Sequence, residues 1–298
     1  MKYAGITLNK IPSLFCSKMN MILHGRLSIV FKPHTMSIIF MILIILITGC
    51  ERKADPLPQS RIEEKQSPSK SKPIQMISQV NIDSIPILMY HSIGNNPSST
   101  LFVPPKLFHK QMEHLKNAGY HTMTFKDLIN WKTGEMIPDK PILITFDDGY
   151  LDNFTIVYPI LKKLQMRATI FATSDFIGYP NHLNWEQIKE MEQSRYVEIG
   201  AHTRHHAELT KNTPLQLVDE VWGAKQKMEK RLGHPIIAFA YPSGKFNQKV
   251  LQVVKRAGFE FAVTTKPGFA VKNQGFLTLH RVRIPEGQPM AAFIQEFP

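Results

Sequence analysis

From Ile85 onward, apolar and β-branched residues gather in short blocks, separated by stretches whose apolar positions recur every three or four residues. The blocks are Ile85–Tyr90, Pro141–Phe146, Ala168–Ala172, Val197–Ala201, Ile236–Tyr241, Phe261–Thr264 and Leu279–Ile284. Runs this short and this unbroken read as parallel strands covered on both faces. Between them Lys106–Asn117, Tyr158–Gln165, Pro214–Leu232 and Asn247–Ala257 carry the helical period. Seven strands with intervening helices over ~210 residues predict one α/β domain, either a barrel or a doubly wound sheet. His91, Asp147, Asp148, Ser174, His202, Tyr241 and His280 all fall at or just past the carboxyl end of a strand. Barrel active sites are built there, so the barrel is the expected form.

A different pattern precedes this domain. Residues 1–49 contain Lys2, Lys10, Lys18, Arg26 and Lys32 but no acid, and end in the apolar run Ile38 to Ile47. Basic residues, an apolar stretch too short to span a bilayer comfortably, and small residues before Cys50 read as a secretory signal. An uncleaved membrane anchor is the other reading, and Met19, Met21 or Met36 could serve as the start. Either way the domain is expected outside the cytoplasm. Residues 51 to about 80 are rich in Pro, Ser, Lys, Gln and Glu, so residues 50–80 read as a flexible tether. Residues 81–298 are expected to form the folded α/β domain.

Without the leader, 31 Lys plus Arg face 24 Asp plus Glu, a net charge of +7 rather than +12. This balance suits an anionic wall or membrane surface, and no nucleic-acid motif accompanies it. Cys16 and Cys50 are the only cysteines, so no disulfide staples the domain.

Two clusters carry candidate chemistry. The strand from Pro141 delivers Asp147 and Asp148 side by side before Gly149, and adjacent carboxylates at the end of a core strand need a cation, a proton or water. After Val197–Ala201 come His202, His205 and His206. One helical turn would put His202 and His206 on one face, with His205 as the competing ligand. Two nitrogens and one oxygen form the ligand set of a catalytic zinc-type centre with open positions.

Thr145-Phe-Asp-Asp-Gly-Tyr150 and His202-Thr-Arg-His-His-Ala-Glu-Leu209 together resemble the first two motifs of the NodB-homology polysaccharide deacetylases, carbohydrate esterase family four. The resemblance implies a distorted (β/α) barrel, often seven-stranded, with Asp147 as general base and Asp148, His202 and His206 as ligands of a divalent metal, Zn2+ foremost, with Co2+ or Ni2+ as alternatives. Phe239-Ala-Tyr-Pro-Ser-Gly244 resembles the third motif, with Ala240 where relatives commonly carry an arginine that orients the base. Leu279-His-Arg-Val282 resembles the last motif. It offers His280 as catalytic acid and Arg281 as the replacement for the missing arginine. Pro86 to Ser92 and Leu183-Asn-Trp-Glu186 are similar to the poly-N-acetylglucosamine deacetylase branch, and no Asp-plus-Trp fourth motif follows the third. Tyr241, Ser243, Trp185 and His91 are the expected substrate contacts, His91 through a supporting hydrogen bond. Ile47-Thr-Gly-Cys50 resembles a lipobox, making Cys50 the lipidated anchor of a membrane-tethered, extracytoplasmic lipoprotein.

The expected activity is hydrolysis of N-acetyl groups on N-acetylglucosamine units of a cell-surface polymer, either peptidoglycan or poly-N-acetylglucosamine. The alternatives are an O-acetyl-sugar esterase using the same site and a catalytically silent glycan-binding lipoprotein, the latter suggested by Ala240.

Overall fold

The computed structural model describes residues 82–95 and 99–298. The leader, Cys50 and the tether lie outside the described residues. All seven expected strands form: β1 (Ile87–Tyr90), β2 (Pro141–Asp148), β3 (Ala168–Ala172), β4 (Val197–Ala201), β5 (Ala238–Ala240), β6 (Phe261–Pro267) and β7 (Leu279–Arg283). Each is hydrogen-bonded in parallel to the next along β2, β3, β4, β5, β6 and β7. The ring closes through β1, which pairs with β7 at Leu88↔Val282 and with β2 from Ile87↔Leu143 to Tyr90↔Phe146. The result is a closed seven-stranded parallel barrel rather than an open doubly wound sheet.

Alternation along the strands divides the core in two. Ile87, Leu143, Phe171, Ala238, Ala240, Phe261, Val263 and Leu279 fill the interior. Leu88, Ile144, Phe146, Ile170, Ile199, Phe239, Ala262 and Val282 face outward beneath the helices. Phe171 depends on the glycine opposite it, because a Cβ on Gly200 would stand 2.5 Å from its Cδ1.

The expected helices are present as α1 (Pro105–Asn117), α3 (Tyr158–Leu164), α5 (Pro214–Val218) with α6 (Ala224–Leu232), and α7 (Gln248–Arg256). The helical period did not reveal α2 (Phe125–Thr133) or α8 (Met290–Glu296) as separate elements, and α4 (Trp185–Gln193) begins at Trp185, where the sequence reads as the start of an amphipathic helix. Helix α2 closes the amino-terminal end of the barrel, with Phe125 packed 5.5 Å from Phe171 and 5.7 Å from Phe261, centroid to centroid. Its first turn is held from inside the barrel by Glu198, whose Oε2 accepts from the N–H of Phe125 at 2.7 Å.

Two π turns interrupt the helical layer. One, Asn153–Val157, leads into α3, and the other, Asp219–Gly223, joins α5 to α6. Such wide turns add a residue within a helix and are frequent at functional sites.

Candidate metal and acid–base centre

The carboxyl ends of β2, β4 and β7 and the loop after β4 bring five of the expected site residues together: Asp147, Asp148, His202, His206 and Arg281. On β2, Thr145 and Asp147 point into the barrel, and both meet Arg281 from β7. The Arg281 guanidinium donates to Asp147 Oδ1 and Oδ2, each at 2.7 Å, to Thr145 Oγ1 at 3.1 Å and, through Nε, to the Thr264 carbonyl at 2.9 Å. Arg281 is wholly buried and Asp147 nearly so. Burial pushes the Asp147 carboxyl up, but the Arg281 charge and hydrogen bonds outweigh it and hold the group below the ordinary carboxylate range. The position of Ala240 explains the departure in the third motif. Its small side chain faces the same interior, leaving space for the guanidinium that arrives from β7 instead.

Asp148 does not continue the strand alternation. Its φ of 73° and that of Gly149, 76°, lie in the left-handed region, a conformation Asp tolerates better than most residues. At Gly149 the backbone also passes close to Ala172, whose Cβ would be 3.1 Å from an added methyl group. The turned backbone places Asp148 Oδ1 3.4 Å from His202 Nε2 and 3.4 Å from His206 Nε2.

His202 is fixed by its other nitrogen. Nδ1 lies 2.8 Å from the Ala240 carbonyl, which can only accept, so Nδ1 carries the hydrogen and Nε2 keeps its lone pair. The expected helical turn over the two histidines is absent. Residues 202–206 form a loop with left-handed Thr203 (φ 64°) and His206 (φ 56°), and this loop, not helical periodicity, brings both rings to Asp148. His205 is excluded as a ligand. Its Nδ1 donates to Glu220 Oε1 at 2.8 Å and its Nε2 faces Asp175 at 3.3 Å.

These three residues suit a cation. Their ligand atoms lie within 4.8 Å of one another. Atoms bound at about 2.1 Å around a tetrahedral centre stand roughly 3.4 Å apart, which matches both Asp148–histidine separations. Asp148 Oδ1 is buried and has no hydrogen-bond partner among the described residues, an orphaned acceptor of the kind a metal satisfies. Burial raises the Asp148 carboxyl, but the imidazoles around it, His202 foremost with His91 and His206, bring it well below its usual value.

His91, just past β1, lies beside the pair. Its Nε2 is 4.0 Å from Asp147 Oδ2. Burial lowers its pKa against the pull of the two carboxylates. Its backbone carbonyl accepts from Asn153 Nδ2 at 3.1 Å, at the start of the first π turn.

Other expected contacts need correction. His280 alternates with inward-facing Arg281 and so sits on the other side of the strand, its ring beside Gly268 and its N–H donating to Gln274 Oε1 at 3.2 Å. That geometry does not deliver an acid to Asp147. Tyr241 is buried between Phe239 and Phe246, and its hydroxyl donates to the Leu277 carbonyl at 3.0 Å, so it is a core residue. Trp185 is half-buried, packed against the outer core with the Arg231 guanidinium 5.7 Å from its ring centre and away from the clustered site residues. Ser243 remains exposed, on a left-handed turn (φ 55°) just beyond β5. Tyr150, whose ring stacks on His182 at 5.5 Å and whose hydroxyl is raised by burial and by Asp148, was legible only as part of a motif. Glu220 was missed because it lies inside Pro214–Leu232, which reads as one continuous helix, and Asn153 because it precedes the helical period of Tyr158–Gln165; a π turn leaves no periodic signature.

A cleft of about 750 Å3 opens at the other end of the barrel, among Thr124, Arg167, Glu198 and His234. None of the clustered site residues lines it.

Comparison with known proteins agrees with this geometry. The family model described as polysaccharide deacetylase matches residues 134–262. The Bacillus subtilis (strain 168) protein YxkH, itself assigned as a polysaccharide deacetylase, is 41% identical over 210 residues, covering 70% of this chain and 74% of its own. A poly-β-1,6-N-acetyl-D-glucosamine N-deacetylase of Staphylococcus aureus (strain MRSA252) is 23% identical over 246 residues, covering 78% of this chain and 84% of its own. Among solved structures, the Streptococcus pyogenes deacetylase PplD in complex with acetate superimposes with a TM-score of 0.68 at 32% identity, covering 72% of this chain and 98% of its own.

Proposed function

Because this chain belongs to the polysaccharide deacetylase family, we propose that it removes N-acetyl groups from N-acetylglucosamine units of a cell-surface polymer, with a divalent metal held by Asp148, His202 and His206. The observation that carries this reading is the buried, orphaned Asp148 oxygen 3.4 Å from two imidazoles, with the arginine-paired Asp147 adjacent in the chain.

A bound cation would act as a Lewis acid toward the acetyl carbonyl and make water more acidic. Asp147 accepts the proton from the attacking water. Arg281 keeps that carboxylate ionised and fixed in plane through two parallel hydrogen bonds. The departing amine needs a proton, and His91 is the imidazole near Asp147 that is not a proposed ligand. His91 takes over the acid role expected of His280. Lowered by burial, it is neutral at rest at pH 7 and becomes a donor when the proton taken up by Asp147 is passed on to it.

The substrate class draws on the poly-β-1,6-N-acetyl-D-glucosamine deacetylases among the relatives, and peptidoglycan is the other polymer of the same sugar. Removing acetyl groups exposes amines that become cationic at neutral pH. The basic leader, the apolar run and the sequence around Cys50 support export and lipid anchoring of the domain.

Acetate release from peptidoglycan, poly-β-1,6-N-acetylglucosamine oligomers and O-acetylated xylan tests the reading, after chelation and again after Zn2+, Co2+ or Ni2+ is restored. Turnover of an N-acetylated glycan that is lost on chelation and recovered with metal is the expected result. Turnover of the O-acetyl ester alone would overturn it.

A further inference from the structure

We propose that Glu220, on the π turn between α5 and α6, is a positioning residue for the metal centre. It clamps the loop that carries His206, and its reach rather than its charge sets metal affinity. The proposal rests on Asp148, His202 and His206 being the ligands.

The two histidines are held differently. His202 follows directly on β4 and is anchored through the Ala240 carbonyl. His206 is half-exposed; its ring packs edge-on against His202 at 4.9 Å but makes no hydrogen bond to another residue among the described residues, so its position depends chiefly on its backbone. That backbone is strained: Thr203 and His206 both adopt left-handed φ, a conformation unfavourable for non-glycine residues. Such a loop keeps one shape only if something grips it from outside.

Glu220 supplies that grip. It is 7% exposed. Its Oε2 accepts from the backbone N–H of Arg204 and of His205, each at 3.0 Å, while Oε1 accepts from His205 Nδ1 at 2.8 Å. Both backbone donors lie between the two left-handed residues. The turn is shaped around the loop. Asp219 receives Arg204 Nη1 at 2.7 and 2.8 Å, and a Cβ on Gly223 would come within 2.9 Å of Arg204 Cδ. From the other side the Thr203 and Arg204 carbonyls accept from the N–H groups of Ser174 and Asp175 at 3.0 Å each. Asp175 also receives Arg204 Nη2 at 2.8 Å and Lys227 Nζ at 3.1 Å. The loop is thus pinned on two sides, and of the described groups that grip it Glu220 is the carboxylate that holds two of its successive backbone donors.

Substitutions separate reach from charge. E220Q keeps an oxygen at the same distance and removes the charge; E220D keeps the charge and withdraws it by one methylene. Co2+ is titrated into each full-length, metal-free protein, with the visible absorption of the bound ion and the metal-free unfolding temperature recorded alongside. E220D is expected to weaken Co2+ binding roughly 10- to 100-fold, in the range of other supporting hydrogen bonds, and to alter the spectrum. E220Q is expected to bind as the wild type does. Wild-type affinity in E220D, or weak binding in E220Q, would overturn the clamp. H206A is the control for the underlying reading. If H206A binds Co2+ as tightly as the wild type, the ligand assignment fails; if it loses the ion while E220D does not, only the clamp fails.

Discussion

Asp147 and Asp148 are neighbours in the chain yet stand in different surroundings, one inside the barrel against a guanidinium, the other turned out toward two imidazoles. The split predicts different losses. D148A should leave the protein without bound metal, whereas D147N should retain metal, measured by elemental analysis, and lose at least 100-fold in acetate release, the usual scale for a missing general base. Equal metal loss in both would contradict the division. Removing Arg281 strands a buried carboxylate, so R281M should cost on the order of 3 to 5 kcal/mol in unfolding free energy at pH 7. The sign with pH follows from the lowered Asp147 pKa: the pair stabilises the fold above the ordinary carboxylate pKa, and that contribution fades as acid protonates Asp147. The R281M deficit, measured by denaturant unfolding, should therefore shrink toward low pH. Since Ala240 faces the same interior, the double variant R281A/A240R should recover part of the activity that R281A loses. At this scale residue type and motif resemblance singled out Asp147, Asp148, His202, His206 and Arg281, although the helical turn expected of the two histidines is a loop. It misled for Tyr241, where a motif position says nothing about which way a ring packs, and for His280, where strand parity relative to Arg281 decides.

Helices and strands were legible to the extent that each had a period of its own. The strand blocks were plain because both faces are covered, and their ends agree with the structure to within a residue or two at most boundaries. The π turns were not legible, because a single extra residue barely disturbs apolar spacing. Yet each π turn holds a histidine-bearing segment, Asn153 through the His91 carbonyl and Glu220 through the N–H groups of Arg204 and His205. Helix α2 and Glu198 illustrate the other end of the barrel. Burial raises the Glu198 carboxyl to about 7 despite the N–H groups of Phe125 and Lys126 that favour its charge. A folded-state pKa above the unfolded one means stability is greatest while the group is protonated and declines as pH rises from about 4.5 to about 7. E198Q should flatten that part of the stability profile by up to ~1.4 kcal/mol per pH unit, read from thermal unfolding across the range; an unchanged slope would show that Glu198 does not titrate there. For strand packing, G200A should force Phe171 out of place and lower stability by about 1 to 3 kcal/mol.

On the scale of the whole molecule, the barrel joins the first strand to the last: β1 pairs with β7, and the base on β2 takes its partner from β7. Beyond the described residues, the sequence around Cys50 predicts that the full-length protein sediments with membranes and that C50A leaves that fraction, a comparison that immunoblotting of fractionated cells would check. The three proposed ligands are all present once the chain has been made as far as residue 206, but the guanidinium that aligns the base arrives only with the last strand. Because the groups that brace the ligands, Ala240 and Glu220, also follow residue 206 in the chain, cation site and aligned base alike depend on segments made later, and the centre is complete only with the last strand.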